Sequence, residues 1–205
     1  EVIGGGYMDG IQAAYDGIFL NGSYGITLSN LYIHHFGHDG IYIIYRKCPS
    51  QMDPPIGYVT CNISNCKVEY NSRTNLAWGG GRHVNVFNSE FNYAALNRVA
   101  SSTFSGVDIE YENSDLDNSS GTFTDCKFLF NKFAGVICDA NGQSQTTNRA
   151  FDYNFIRCRF AAGENGYTVW PNTKHMYFTD SRFYGQVVNP YNSLVNDPLG
   201  QINNT

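Results

Sequence analysis

The sequence is poor in charge, in leucine and in long apolar runs. Charged residues make up only 15 % of the 205 residues, and nine leucines stand beside 23 asparagines and 21 glycines. Asparagine and glycine are unfavourable inside helices, so this balance argues against a helical protein. Aromatic residues reach another 15 %, and aromatic and β-branched side chains suit strands. We therefore expect an all-β fold.

Several partners and sites are excluded by what is missing. The net charge is −5 without any run of lysine or arginine, so we expect no nucleic-acid partner. No stretch approaches the roughly 18 apolar residues of a membrane span, so we expect no membrane insertion. The six cysteines show no CxxC and no zinc-finger spacing with histidine, so we expect no metal site. The sequence begins and ends as if inside a fold, and we expect a fragment of a longer chain.

One six-residue formula recurs along the chain: apolar, any, polar, small, polar, apolar. Its polar third position falls at 30, 65, 88, 125, 157 and 180, with gaps of 35, 23, 37, 32 and 23 residues. A gap of 23 predicts one bare coil of a solenoid, and the longer gaps predict coils that carry an insertion. The segments are Leu28–Ile33, Ile63–Val68, Val86–Phe91, Phe123–Phe128, Phe155–Phe160 and Phe178–Phe183.

This repeat predicts a right-handed, single-stranded parallel β-helix of about six to seven coils. The pattern is clearest over 25–190, within a single domain that covers 1–205. Alternation of period two makes each segment a strand with one buried face. The small residues then form an internal ladder in which cysteines act as buried thiols: Leu31, Cys66, Ser89, Cys126, Cys158 and Ser181.

A second strand follows each repeat segment, and a glycine precedes most of these strands. We expect that glycine to supply the positive φ of a corner. Stacking the second strands predicts two outward rows, which place Glu110 beside Asp139 on neighbouring strands about 4.8 Å apart. The first row is Tyr42, Ala77, Asp108, Ile137 and Thr168; the second is Ile44, Gly79, Glu110, Asp139 and Trp170.

Clustered carboxylates on this face predict acid–base chemistry. Asp108, Glu110 and Asp139 are the catalytic candidates, and Glu112 extends the same face as a substrate contact. Carboxylates held close together repel one another, so at least one pKa is expected to rise. A protonated acid beside an ionised carboxylate is what glycosidic hydrolysis requires. A solvated acidic face is the alternative interpretation of the same residues.

Other side chains offer substrate contacts and a second chemistry. Trp170 points outward by parity and would serve as a sugar-stacking platform, whereas Tyr167 and Trp78 are expected inside. His38, Tyr42 and Arg46 provide the acid, base and cation types that uronate β-elimination uses. His38-Asp39 also fits a simple turn, in which Asp39 caps a tight bend before a glycine.

The repeat strands and the segment Gly106-Val107-Asp108-Ile109-Glu110 resemble the pectate-lyase-like β-helix superfamily. Within it the resemblance is to phage tailspike depolymerases, which carry a similar G-[IV]-D-I-E signature. That resemblance implies a polysaccharide substrate, an extracellular or virion-associated location and a homotrimer. The superfamily contains several activities on one fold, so the fold alone does not name the reaction.

Three functions remain open at this stage. The first is an enzyme that depolymerises a bacterial surface or extracellular polysaccharide by hydrolysis, without a cofactor. The second is a uronate lyase that uses His38, Tyr42 and Arg46, with Ca²⁺ as a conceivable cofactor. The third is a non-catalytic adhesin or spike segment that only binds glycan.

Overall fold

The computed structural model describes ten segments of the chain, namely 1–3, 15–22, 25–44, 60–80, 83–96, 104–110, 120–139, 152–171, 176–187 and 202–203. Within them the chain forms strands and turns without any helix, and every paired strand runs parallel to its neighbours. The strands build three seven-stranded sheets, called here sheets A, B and C.

Each sheet takes every third strand of the chain. Sheet A contains β1 (Val2–Ile3), β4 (Tyr32–His34), β7 (Lys67–Glu69), β10 (Glu90–Asn92), β13 (Lys127–Asn131), β16 (Arg159–Ala162) and β19 (Arg182–Tyr184). Sheet B contains β2 (Ile18–Asn21), β5 (Ile41–Ile44), β8 (Leu76–Trp78), β11 (Ser105–Glu110), β14 (Ala134–Asp139), β17 (Tyr167–Pro171) and β20 (Gln186–Val187). Sheet C contains β3 (Ile26–Ser29), β6 (Cys61–Ser64), β9 (Val84–Phe87), β12 (Ser120–Thr124), β15 (Asp152–Ile156), β18 (Met176–Thr179) and β21 (Ile202–Asn203).

The chain passes from sheet C to sheet A to sheet B in each turn and then begins the next turn. Each strand pairs with the strand of the same sheet one coil later. Such a path is a parallel β-helix, so the predicted fold class is confirmed. Right-handedness stays a prediction from the sequence.

The repeat formula is two strands around a corner, and the prediction of one continuous strand was wrong. Its polar third residue has a positive φ at every one of the six positions, for example 56° at Asn30 and 53° at Asn65. This left-handed residue turns the chain from sheet C into sheet A. Asparagine and aspartate tolerate that conformation better than most residues, which explains why the formula prefers them there.

The predicted internal ladder is confirmed. Cys66, Cys126 and Cys158 are buried free thiols directly after the corner, and the Cys126 thiol donates to the Thr124 carbonyl at 3.3 Å. Where the ladder carries serine instead, the hydroxyl of Ser89 accepts from the backbone N–H of Cys66 at 3.0 Å. Among the described cysteines none forms a disulfide.

Columns of phenylalanine fill the space between the sheets. Phe123, Phe155 and Phe178 stack along the axis from sheet C, with centroids 4.9 and 5.1 Å apart. Phe128 and Phe160 form the matching column from sheet A at 4.9 Å. These spacings repeat the distance between strands, so one aromatic per coil makes a continuous core.

The glycines before the sheet B strands have a different role from the predicted one. Of the four glycines for which a corner was predicted, Gly40, Gly106, Gly135 and Gly166, only Gly166 has a positive φ, of 77°. At Gly106 a Cβ atom would lie 2.7 Å from the carbonyl oxygens of both Phe91 and Gly135. Close backbone approach, rather than corner geometry, therefore requires glycine at that position.

Candidate functional site

The outer face of sheet B carries the sequence-predicted site. One row of side chains crosses five strands at about 4.8 Å per strand, and its register is fixed by backbone pairing. The row is Tyr42, Ala77, Asp108, Ile137 and Trp170.

The position of Trp170 in this row corrects the predicted alignment. Trp170 pairs with Ile137, not with Asp139, because β17 is displaced by two residues relative to the expected register. The turn before β17 is two residues longer than the turn before β14, since Asn131 pairs with Ala162, 31 residues later, and Val136 pairs with Val169, 33 residues later. Thr168, which was predicted in this row, is instead fully buried.

The middle of the row is covered and its ends are open. Asp108 is 1 % exposed, and Ala77 and Ile137 beside it are also buried. At one end Phe19 is 51 % exposed and its ring lies 5.4 Å from that of Tyr42. Asp108 thus has the predicted parity but does not contact solvent, which sequence parity alone could not show.

Glu110 lies two residues after Asp108 on β11 and is partly exposed. Two positions along a strand span roughly 6.6 Å between Cα atoms. Glu110 is the backbone partner of Asp139 on β14, so the predicted adjacency of these two residues is confirmed for the backbone. The side chain of Asp139 lies outside the described part of the structure, as do Glu112 and Arg46.

A buried polar network stands beside this face, at the corner between sheets A and B. The guanidinium of Arg73 donates through Nε and Nη2 to the two carboxylate oxygens of Asp39, at 2.9 and 2.6 Å. The backbone N–H of Thr74 adds a third bond to Asp39 at 3.1 Å. His38 donates from Nδ1 to Asp16 at 2.7 Å and lies 3.4 Å from Asp39.

These contacts overturn the interpretation of Asp39 as a local turn cap. Its carboxylate accepts from residues 34 and 35 positions later in the chain, one coil above. Arg73 sits directly over His38, because its backbone N–H donates to the His38 carbonyl at 3.0 Å. The network therefore ties consecutive coils together.

Arg73 also connects this network with the carboxylates of sheet B. Burial acts to lower the pKa of the Arg73 guanidinium, but the bonds and charge of Asp39, followed by the charges of Asp108 and Glu110, raise it above its ordinary value. Burial raises the pKa of the Asp39 carboxyl, and the bonds from Arg73 oppose that rise. The two candidate sets that the sequence offered as alternatives thus share one electrostatic environment.

Among the described residues, the group that most resembles a set of metal ligands is Asp16, His38 and Asp39. Their ligand atoms lie within 4.8 Å of one another. Both oxygens of Asp39 already bind Arg73. A cation placed there would face the guanidinium charge at close range, which disfavours coordination. The arrangement fits an acid–base dyad of His38 and Asp16 better than a metal site.

An aromatic cluster forms the other open end of the row. The rings of Phe133, Tyr167 and Trp170 lie 5.1 to 5.3 Å apart in tilted or edge-on contact, and each ring is partly exposed. Tyr167 was expected inside and is not, whereas Trp78 is buried as predicted. Trp170 and Tyr42 flank Asp108 at two strands on either side, roughly 10 Å each.

Sequence reasoning missed Asp16, Arg73 and Phe133. No local motif marks Arg73, since its partner lies 34 residues earlier. The repeat itself contained the information, because the first coil spacing of 35 residues places Arg73 above His38 and Thr74 above Asp39. Phe133 lies one coil before Gly166 by the same kind of spacing, but it falls outside the six-residue repeat formula.

Comparisons of the chain with protein-family models, with curated proteins and with solved structures gave no significant match. In the segments that the structure describes, no helix has the length and apolar character to cross a membrane. Function must therefore be argued from the geometry of the site.

Proposed function

We propose that the chain binds a polysaccharide along the outer face of sheet B and cleaves it by glycosidic hydrolysis. The observation that carries this proposal is the position of Glu110. It is a partly exposed carboxylate two residues along β11 from Asp108, whose row ends in Tyr42 and Trp170, and the charge of Arg73 is within electrostatic reach. Aromatic rings with a few fixed polar groups between them are typical of sugar sites.

Glu110 and Asp139 form the reacting pair in this proposal. They are partners on adjacent parallel strands, and strands lie about 4.8 Å apart. Carboxyl groups about 5 Å apart are typical of retaining glycosidases, in which one attacks the sugar and the other exchanges a proton with the leaving oxygen. The anomeric configuration of the product would report the separation of the two carboxyl groups, with retention at about 5 Å and inversion at about 6.5–9.5 Å.

Asp108 has a positioning role here, because a carboxylate with almost no exposed surface cannot contact a sugar. Its negative charge lies behind Glu110 on the same strand and acts on Arg73. Asp108 would therefore act on its neighbours through its charge and not through contact with the sugar.

The charge of this face favours a neutral glycan. Its described carboxylates are Asp16, Asp39, Asp108 and Glu110, and its one arginine is already bonded to Asp39. A uronate polymer would meet repulsion there, since like charges at short range cost free energy. The described residues thus support hydrolysis better than β-elimination, which needs a cation for the uronate carboxylate; Arg46, the cation predicted for that role, lies outside them.

The resemblance of Gly106–Glu110 to the tailspike signature is consistent with this function. It extends the proposal to the pectate-lyase-like superfamily, an extracellular or virion-associated location and a homotrimer. None of these enters the chemistry above.

The test uses the whole chain against a panel of neutral polysaccharides and one polyuronate. Reducing ends should appear with a neutral substrate, and Glu110→Gln should reduce their release by about a hundredfold or more, since acid–base groups contribute at least that factor. Glu90→Gln, on sheet A and paired with Lys127 at 2.6 Å, is the matched control and should retain activity.

Other outcomes would overturn the proposal in different ways. Unsaturated products that absorb in the ultraviolet would show the lyase. Equal activity of Glu110→Gln and the parent would place the reaction elsewhere. Binding without any product would establish an adhesin.

A further inference from the structure

The outer face of sheet A carries a row of charged residues in strict register. Five consecutive strands contribute one charged side chain each, about 4.8 Å apart. The row is Lys67, Glu90, Lys127, Arg159 and Arg182.

The two halves of this row differ in whether their charged side chains form ion pairs. Lys67 binds the buried Glu69 at 3.0 Å, and Lys127 binds Glu90 at 2.6 Å. For Arg159 and Arg182, both exposed, no ion pair is found with any residue that the structure describes.

Adjacent like charges on paired strands are destabilising. The arginines nevertheless occupy directly opposed positions, on a chain whose net charge is −5. An anion that bridges the two guanidinium groups would remove this repulsion, and guanidinium is well suited to carboxylate or sulfate in a bidentate mode.

The neighbouring row supplies an apolar surface. Tyr184, two residues after Arg182, is 60 % exposed, and within the described segments its ring contacts no other aromatic ring. On β13 this row contains the partly exposed Leu129, and Phe130 next to it is 47 % exposed. An open ring beside paired cations suits a sugar that carries a negative group.

We propose that Arg159, Arg182 and Tyr184 form a binding strip for an acidic polysaccharide, separate from the face of sheet B. The arginine spacing of about 4.8 Å is close to the length of one sugar residue, so successive acidic groups can reach successive guanidinium groups. Two uncompensated cations are too few for a nucleic acid, whose binding depends on many phosphate contacts.

The probe is fluorescently labelled polygalacturonate, with dextran of matched length as the neutral control. The whole chain should bind polygalacturonate at low ionic strength and lose it as salt is raised, because exposed charges are screened. Dextran should not compete for the strip.

The double variant Arg159→Gln, Arg182→Gln should weaken polygalacturonate binding by about tenfold, since each exposed charge contact contributes modestly. The single variant Arg157→Gln is the control. It removes one arginine charge at the adjoining corner between sheets C and A, where Arg157 is already bonded to Asp125 at 2.8 and 2.7 Å. Its affinity should match that of the parent.

Unchanged binding by the double variant, or stronger binding of a single-stranded polynucleotide than of polygalacturonate, would overturn this proposal. Glu110→Gln separates the two sites. It should leave polygalacturonate binding intact, whatever it does to cleavage of a neutral glycan.

Discussion

Two bidentate arginine–aspartate pairs join coils of this solenoid, and their surroundings are opposite. Arg73 and Asp39 meet beside sheet B, with Asp39 wholly buried and Arg73 largely so. Arg157 and Asp125 meet at the end of sheet C with nearly equal bond lengths, but both remain exposed. The two pairs therefore have similar geometry but should differ in their effect on the free energy of unfolding. A buried charge that loses its partner is costly, whereas an exposed charge that loses its partner is not.

The outer faces of sheets B and C differ in the same way, in how far charged side chains are buried. Sheet C presents an uncharged row of exposed or half-exposed side chains across six strands. The row is Thr27, Asn62, Asn85, Thr122, Asn154 and Tyr177. Sheet B instead buries Asp108 and gathers carboxylates around one guanidinium. The outer row of sheet C carries no charge, whereas sheet B is built around interacting charges, as functional sites often are.

The largest effect is expected from Arg73→Gln. It leaves Asp39 buried without its cation and should lower the free energy of unfolding by about 3–5 kcal/mol. Thermal or urea unfolding measures this. Arg157→Gln, the exposed counterpart, should unfold like the parent, and equal losses for both variants would contradict the comparison.

A double variant sharpens the same point. Asp39→Asn combined with Arg73→Gln removes both charges, so its loss should be smaller than the sum of the two single losses. Strict additivity would mean that the two side chains do not stabilise each other.

An effect confined to alkaline pH is expected on the inner side of sheet C. Burial, with a lesser contribution from the Cys66 thiol, raises the pKa of the Cys61 thiol to about 12. The folded thiol keeps its proton up to that pH, while the unfolded thiol loses it near its ordinary pKa. The free energy of unfolding should therefore be unaffected below that ordinary pKa, and should fall above it by about 1.4 kcal/mol per pH unit until the pH reaches the folded value.

Urea unfolding of the parent and of Cys61→Ala over the alkaline range checks this prediction. The variant should show a shallower decline with pH, even if its stability at neutral pH is lower. Parallel declines would mean that Cys61 titrates normally in the folded chain.

The smallest effect is expected from the outer face of sheet C. Thr122→Ala and Asn62→Ala remove exposed side chains without buried partners, so each should change the free energy of unfolding by about 0.5 kcal/mol or less. Losses well above that in either variant would show that this face is not simply solvated.

Most of the fold could be predicted from the sequence because the same short pattern of residues recurs once in every coil. The small ladder through Cys66, Cys126 and Cys158 and the polar position before it were sufficient to define coils and their stacking. The corner was missed although the left-handed Asn65 breaks the alternation, because the buried residues Ile63 and Cys66 on either side of it are three positions apart instead of two.

The candidate site was harder to predict than the fold, because the spacing of neighbouring residues does not reveal burial or contacts between coils. Parity placed Asp108 outward correctly but could not show that this part of the face is covered. The coil spacing of 35 residues places Arg73 one coil above His38 but does not show that its side chain bonds to Asp39. The shift of Trp170 depends on one turn before β17.

The most direct test of the central claim is the fluorescence of Trp170 in the presence of glycan. The chain has two tryptophans, and Trp78 is buried in the core, so a soluble quencher should act mainly on Trp170. If a polysaccharide occupies the outer face of sheet B, saturating amounts of a bound neutral oligosaccharide should protect this fluorescence, and Trp170→Phe should abolish the response. Unprotected Trp170 in a chain that demonstrably holds the oligosaccharide would contradict the assignment of that face.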